Sequence, residues 1–261
     1  MLILVTNDDG ILAPGLQILA RQMKGLGEVA VVAPAEERSA TGHGITVRDP
    51  IRIKRMNFEG VNNAWAVMGT PADCVKLAVQ ELIGKCGLVI SGINSGPNLG
   101  TDVIYSGTVS AAIEGIVLGI PSIAVSLASD EYGDYGAAAE AAFTLACHLQ
   151  KKKELLPPDT LLNVNVPPVD KKEIRGFKVT RLGMREYKNV FDRRVDPRGN
   201  VYFWLKGDLI PHDEVDPEID VVAVEQNYVS VSPIHFDLTN YRLINRIKSA
   251  GFERLEIKTP G

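Results

Sequence analysis

The sequence predicts an α/β protein, a doubly wound and mostly parallel sheet with an extended C-terminal hairpin. Three observations lead there. Short, continuously apolar runs alternate with stretches of helical periodicity, polar clusters follow directly on several of those runs, and beyond Pro157-Pro158 the texture changes to extended, aromatic-bearing segments around a turn. A run apolar at every position suits a strand buried on both faces. Strands alternating with helices imply right-handed crossovers, which put ligands at the carboxyl ends of the strands.

Leu2 to Thr6 is the first such run. Pro14 and Gly15 introduce a helix with Leu16, Leu19, Met23 and Leu26 at helical spacing. Val29 to Ala33 is a second strand, ended by Pro34. Thr70-Pro71-Ala72-Asp73 combines a Thr N-cap, Pro at N1 and an acid at N3, and Cys74, Val75, Ala78, Val79 and Leu82 follow on one face. Leu88 to Ser91 is a strand, Thr108 to Leu118 a helix, Ile123 to Leu127 a strand, Ala137 to Gln150 an Ala-rich helix and Leu161 to Val166 one more strand. Val190 to Val195 and Val201 to Leu205 flank Asp196-Pro197-Arg198-Gly199-Asn200, which is turn chemistry, and predict a hairpin bearing Tyr202, Phe203 and Trp204. Asp220 to Asn227 reads as a short helix, Val229 to Pro233 as a strand and Tyr241 to Ala250 as a final helix. The expected division is a core of residues 1–155 and 208–261 and an extension, 156–207. An isolated two-stranded hairpin is marginal in water, so the extension is expected to be an oligomerisation arm, giving a homodimer or homotetramer.

A chain of 261 residues can bury a sizeable core, and 45% hydrophobic with 23% charged residues is ordinary for a globular protein. A net charge of −4 argues against a nucleic-acid polymer as partner, yet leaves room for a small phosphorylated ligand in a local electropositive pocket. No basic segment precedes the first apolar run, and no run approaches the roughly 20 residues that span a bilayer. Cys74, Cys86 and Cys147 are odd in number and lie in apolar patterns, as buried reduced thiols do. A cytoplasmic protein with no membrane partner is expected.

The chemistry concentrates at strand ends. Asp8 and Asp9 are adjacent acids directly after a buried strand, a costly pairing unless a cation lies beside them. With no imidazole or thiolate nearby, a hard ion such as Mg²⁺ or Mn²⁺ fits best; the competing reading is a turn ahead of Pro14. The loop Glu36 to Gly44 carries Ser39 and His43 toward the same edge, with Glu36 and Glu37 read as solvated. Ser91 to Gly100, rich in Gly, Asn and Ser, offers exposed backbone donors or is merely a wide turn. Ser106-Gly107-Thr108 opens a helix whose free N–H groups make a phosphate seat, where the plain alternative is an ordinary N-cap.

These segments together resemble the SurE family of stationary-phase survival proteins, known as 5'/3'-nucleotidases. The match runs through Thr6-Asn7-Asp8-Asp9-Gly10, Ala13-Pro14-Gly15, Val32-Ala33-Pro34 with Ser39, Gly69 to Val75 and Ser91 to Gly115, and returns at Tyr228 to Ile234. Asn227 departs from the glycine often found there. The resemblance implies a Rossmann-like core, a C-terminal exchange arm between subunits and a metal-dependent phosphatase of nucleoside monophosphates, with one divalent ion per subunit. By the same resemblance Asp8, Asp9, Ser39 and Asn94 look like metal ligands. Asn98, Ser106, Gly107 and Thr108 look like the phosphate side of the pocket, and Asn7 and His43 lie nearby.

The expected chemistry is in-line hydrolysis in which Asp8, Asp9, Asn98 and Ser106 carry the catalytic work. The proton acceptor stays open between Asp9, His43 and the metal itself. Two rivals are a serine hydrolase pairing Ser106 or Ser110 with His43, and an anion sensor with no turnover.

Overall fold

The computed structural model describes residues 1–129, 133–152, 154–188 and 190–256. In chain order the core contains β1 (Leu2–Thr6), α1 (Pro14–Met23), β2 (Glu28–Pro34), β3 (Arg52–Arg55), β4 (Asn63–Met68), α2 (Pro71–Leu77), β5 (Leu88–Ser95), α3 (Gly107–Val117), β6 (Ser122–Leu127), α4 (Gly136–Lys151) and β7 (Thr160–Val166). β8 (Phe177–Val179), the short pair β9 (Tyr187–Lys188) and β12 (Asp208–Leu209), the hairpin β10 (Phe191–Val195) and β11 (Val201–Leu205), α5 (Asp220–Glu225), β13 (Val229–His235) and α6 (Tyr241–Ser249) follow. The main sheet has nine strands in the order β3-β4-β2-β1-β5-β6-β7-β13-β8. From β4 to β7 every pairing is parallel; β3 pairs antiparallel with β4, and β13 pairs antiparallel with β7 and parallel with β8. Strand order runs one way from β1 to β2 and the other way from β5 onward, so the switch point lies between β1 and β5, where Thr6 is level with Ser91.

Alternate strand residues feed two helical layers, which is why the strands are apolar throughout. Ile3, Val5, Val31, Ile90 and Val125 pack with Leu16, Leu19 and Met23 of α1 and Ala138, Ala142 and Ala146 of α4. Leu4, Val32 and Val89 face the other way, onto Cys74, Val75 and Ala78 and onto Ala111 of α3. All three cysteines are free thiols, Cys74 and Cys86 buried and Cys147 partly so. The α2 start is as its sequence predicts: the Thr70 hydroxyl accepts from Asp73 N–H, and the Asp73 carboxylate accepts from Thr70 N–H. Beyond Leu77 the helix loosens into a π turn, Ala78–Leu82.

Several features depart from the sequence reading. The Gly-rich stretch is no wide turn: β5 continues to Ser95 across an irregularity between Ser91 and Asn94. Gly92, at φ 141, is needed there, since a Cβ would lie 2.3 Å from the Val125 carbonyl oxygen. β3 and β4 carry weak apolar signals, exposed Arg-Ile-Lys-Arg and alternating Asn-Ala-Trp-Ala; β4 is paired by the neighbouring β2, and β3 in turn by β4. The boundary expected at residue 156 does not follow the sheet, because β7 is an interior strand between β6 and β13. Nor does 208–261 lie wholly in the core. α5 and β13 are buried in it, whereas α6 buries no residue and exposes Leu243, Ile244 and Ile247. The hairpin forms as expected, with Phe191 edge-on to Phe203 at 6.4 Å and Tyr202, Phe203 and Trp204 exposed.

Candidate active site

Because β1 ends at the switch point, its next residues are delivered into the crevice between strand ends. Asp8 is 4% exposed, and its carboxylate is held against the start of α3 by the Thr108 hydroxyl, which donates to Asp8 Oδ1. Gly107 makes this approach possible, since a Cβ there would lie 2.7 Å from Asp8 Cβ. Asp9 is partly buried beside it, and the nearby Ser95 backbone at the end of β5 works to lower its pKa.

Burial raises the Asp8 carboxyl above its ordinary value, and the Thr108 bonds offset this only in part. Burial and then the neighbouring Asp8 charge push Asp9 up to about 7, with Glu37 adding to both. A pair of acids so placed lacks a positive partner, and the donor set around it tests whether a metal fits. Among the described residues no three His, Cys, Asp or Glu side chains gather as a ligand cluster. Two carboxylates with amide, hydroxyl, backbone and water oxygens suit Mg²⁺ or Mn²⁺, which bind through one or two carboxylates and keep waters. The site fits a hard divalent ion and offers no imidazole–thiolate cluster for zinc.

The far wall comes from β5 and α3. Ser106 is the N-cap of α3, its hydroxyl accepting from Val109 N–H at 3.1 Å. The helix N-terminus therefore faces the acid pair with its partial positive charge. Asn98 is clamped by polar residues of the next strands. Its Nδ2 donates to Ser126 Oγ, its N–H donates to Asn165 Oδ1, and its carbonyl accepts from Asn163 and Asn165. Asp220 fixes the loop beyond, accepting from Gly100 N–H at 2.7 Å and Gly183 N–H at 2.8 Å.

The loop after β2 closes the crevice from the other side. Arg38 N–H donates to the Asp8 carbonyl at 2.8 Å, and Ser39, exposed, donates its hydroxyl to Glu37 at 2.7 Å. Asn94 lies one residue before Ser95, its Nδ2 donating to the Gly96 carbonyl at 2.9 Å. Asn7 is buried, Nδ2 donating to the Gly10 carbonyl, while its Oδ1 lacks a partner.

Gly107 and Thr108 thus touch Asp8 directly, Asp9 lies beside it, Ser106 caps the same helix, and the segment bearing Ser39 reaches Asp8 through Arg38. Thr108 spends its hydroxyl on Asp8, so it belongs to the acid side of the crevice. Asn98 touches the strands behind it and not the aspartates. Sequence reasoning missed the clamps Asn163, Asn165 and Asp220, while Glu37 is solvent-exposed as expected and bonds Ser39. Polar residues inside otherwise apolar strands were the available signal for the two asparagines. The serine-hydrolase alternative fails: His43 Nε2 meets Glu114 at 3.0 Å, while Ser106 caps Val109 and Ser110 donates to the Ser106 carbonyl.

A buried carboxylate set against a helix N-terminus with a second acid beside it, at the switch point of a doubly wound sheet, defines a class: α/β proteins whose polar residues gather at the carboxyl ends of the strands. Comparison with known proteins narrows this. The family model described as Survival protein SurE matches residues 3–189. The chain is 53% identical over 250 residues to the 5'-nucleotidase SurE of Heliobacterium modesticaldum, covering 95% of this chain and 90% of that one. It is 50% identical over 256 residues to that of Synechococcus elongatus, covering 95% and 98%. The crystal structure of SurE protein from Aquifex aeolicus superposes with a TM-score of 0.84 at 41% identity, covering 96% of this chain and all of that one. The chain belongs to the SurE family.

Proposed function

We propose that this protein is a metal-dependent phosphomonoester hydrolase that converts nucleoside 5'-monophosphates, and with them 3'-monophosphates, to nucleoside and phosphate. The observation that carries the reading is the Asp8 carboxylate buried at the start of α3 with Asp9 beside it. Relatives about half identical to this chain are named 5'-nucleotidases, which favours turnover over mere sensing.

Asp8 and Asp9 hold one Mg²⁺ or Mn²⁺ per subunit, with Ser39 and Asn94 supplying further oxygens. When bound, such an ion supplies Lewis acidity toward a phosphoryl oxygen and toward the attacking water. The Thr108 hydroxyl fixes the rotamer of Asp8, so that carboxylate need not reorganise during reaction. Ser106 and the Gly107 amide hold phosphoryl oxygens at the positive end of α3, and Asn98 orients the phosphate from the adjoining strand edge. The exposed aromatic hairpin supports a homodimer or homotetramer built through residues 190–205. No described helix is long and apolar enough to cross a membrane.

The test is release of phosphate from nucleoside monophosphates and from p-nitrophenyl phosphate, with and without EDTA. Metal-dependent release is expected, and Asp9→Asn is expected to abolish it while leaving the circular dichroism of the fold intact. Full turnover by Asp9→Asn after exhaustive chelation would sink the proposal.

A further inference from the structure

The loop that carries Ser39 is fastened at both flanks. On its incoming side Arg38 is bonded to the Asp8 carbonyl. On its outgoing side Gly42 N–H donates to the Tyr105 carbonyl at 3.1 Å, Thr70 donates to the Gly44 carbonyl at 2.7 Å, and Asp73 takes both the amide and the hydroxyl of Thr46. Between these points Ala40 holds a left-handed φ of 56. A non-glycine residue stays in that region only where its surroundings over-determine it.

His43 supplies a side-chain contact from this span to α3. Its Nε2 lies 3.0 Å from Glu114 Oε2, and the other carboxylate oxygen, Oε1, takes Lys76 Nζ of α2 at 2.8 Å. Glu114 is 3% exposed and lies on α3, the helix whose first turn faces the acid pair. A carboxylate buried this deeply needs a donor on each oxygen. Burial alone would raise its pKa; the bonds from His43 and Lys76 outweigh that and hold it below its ordinary value. Lys76 serves one oxygen, so releasing His43 would strand the other, which costs more than a hydrogen bond is worth in itself. The loop is therefore pinned by what its departure would leave behind.

We propose that Glu114 is a positioning residue: acting through His43, it holds loop 37–43 against α3 so that the Ser39 hydroxyl is presented to the cation at Asp8 and Asp9. The inference rests on the reading of Ser39 as a metal ligand given above. It assigns His43 to the scaffold of the site and removes it from the candidates for proton acceptor.

The test uses the full-length chain and Mn²⁺ as probe, with Glu114→Ala, His43→Ala, their double variant, His43→Gln and Ser39→Ala. Amide hydrogen exchange on the metal-free proteins and calorimetric titration of Mn²⁺ are read together. Exchange at residues 37–43 is expected to accelerate in both single variants and no further in the double, with α3 still protected. Mn²⁺ affinity should fall on the order of 10-fold in each, the usual scale for partners behind a ligand. His43→Gln, whose amide still donates to the carboxylate, should restore both readouts. Because His43 lies on the loop and not in the core, His43→Ala decides the matter even if Glu114→Ala fails to fold. Unchanged exchange at 37–43 would overturn the clamp. Faster exchange with unchanged Mn²⁺ affinity, in a protein where Ser39→Ala does weaken Mn²⁺, would overturn the positioning role. If Ser39→Ala itself leaves Mn²⁺ affinity unchanged, the ligand reading falls, and so does the presentation of Ser39, while the exchange data still report the clamp.

Discussion

Gly107 is the residue where the proposed cation and anion sides of the site meet. Helix propensity alone favours Ala over Gly by roughly 0.5–1 kcal/mol, yet a Cβ would collide with the buried Asp8 at 2.7 Å. Gly107→Ala is therefore expected to weaken Mn²⁺ binding and to lower thermal stability despite the gain in helix propensity. Unchanged affinity by calorimetry would show that Asp8 can step aside. Ser106→Ala separates the halves in another way. It should leave Mn²⁺ affinity nearly intact and lower turnover on the order of 10- to 1,000-fold if the hydroxyl is a transition-state donor. Loss of the N-cap adds a stability cost of about 1 kcal/mol, so the rates belong at a temperature where both proteins are folded. Should Ser106→Ala lose the metal as severely as Asp8→Ala, this division of the pocket is wrong. The acids were legible in the sequence because two adjacent carboxylates after a buried strand are hard to explain otherwise. Glu114 was not, since an acid in a helix passes for a solvated residue until the fold buries it.

At the scale of elements, local chemistry carried far. Thr70-Pro71-Ala72-Asp73 forms the capping box it spells, and the turn at 196–200 closes the hairpin between β10 and β11. That hairpin presents aromatic rings on a two-stranded ribbon, and such a ribbon is marginal unless something packs on it. Deleting residues 190–205 should give a smaller species in sedimentation velocity, and an unchanged mass distribution would remove the hairpin from the interface. Where the sequence reading fell short, the element was made by its neighbours. β5 runs on through Gly92 and Asn94 because β6 offers a partner strand, and β4 forms because β2 has an open edge. Such pairings depend on contacts far apart in the chain, and local periodicity carries no record of them.

At the scale of the whole molecule, the cation site proposed at Asp8 and Asp9 lies at the sheet's switch point, and no ion pair to either acid forms among the described residues. Metal should then stabilise the fold by linkage, by about 2.7 kcal/mol at free metal 100 times its Kd. For a chain of this size that is a Tm rise of roughly 5–10 °C. Scanning calorimetry with Mn²⁺ and with EDTA checks this, and Asp8→Ala should erase most of the difference; an equal rise in that variant would place the stabilising ion elsewhere. The sequence by itself determined the alternation of strands and helices, the parallel sheet, and the identity of the acids and of the helix start opposite them. Those features follow from period, composition and local capping, which act within a few residues. Only the tertiary structure decided that Thr108 serves Asp8, that Asn163 and Asn165 hold Asn98, that Asp220 ties down Gly100 from 120 residues away, and that Glu114 faces His43. Each of those contacts exists because sheet order brings distant strand ends to one edge, and burial then leaves every polar group there in need of a partner.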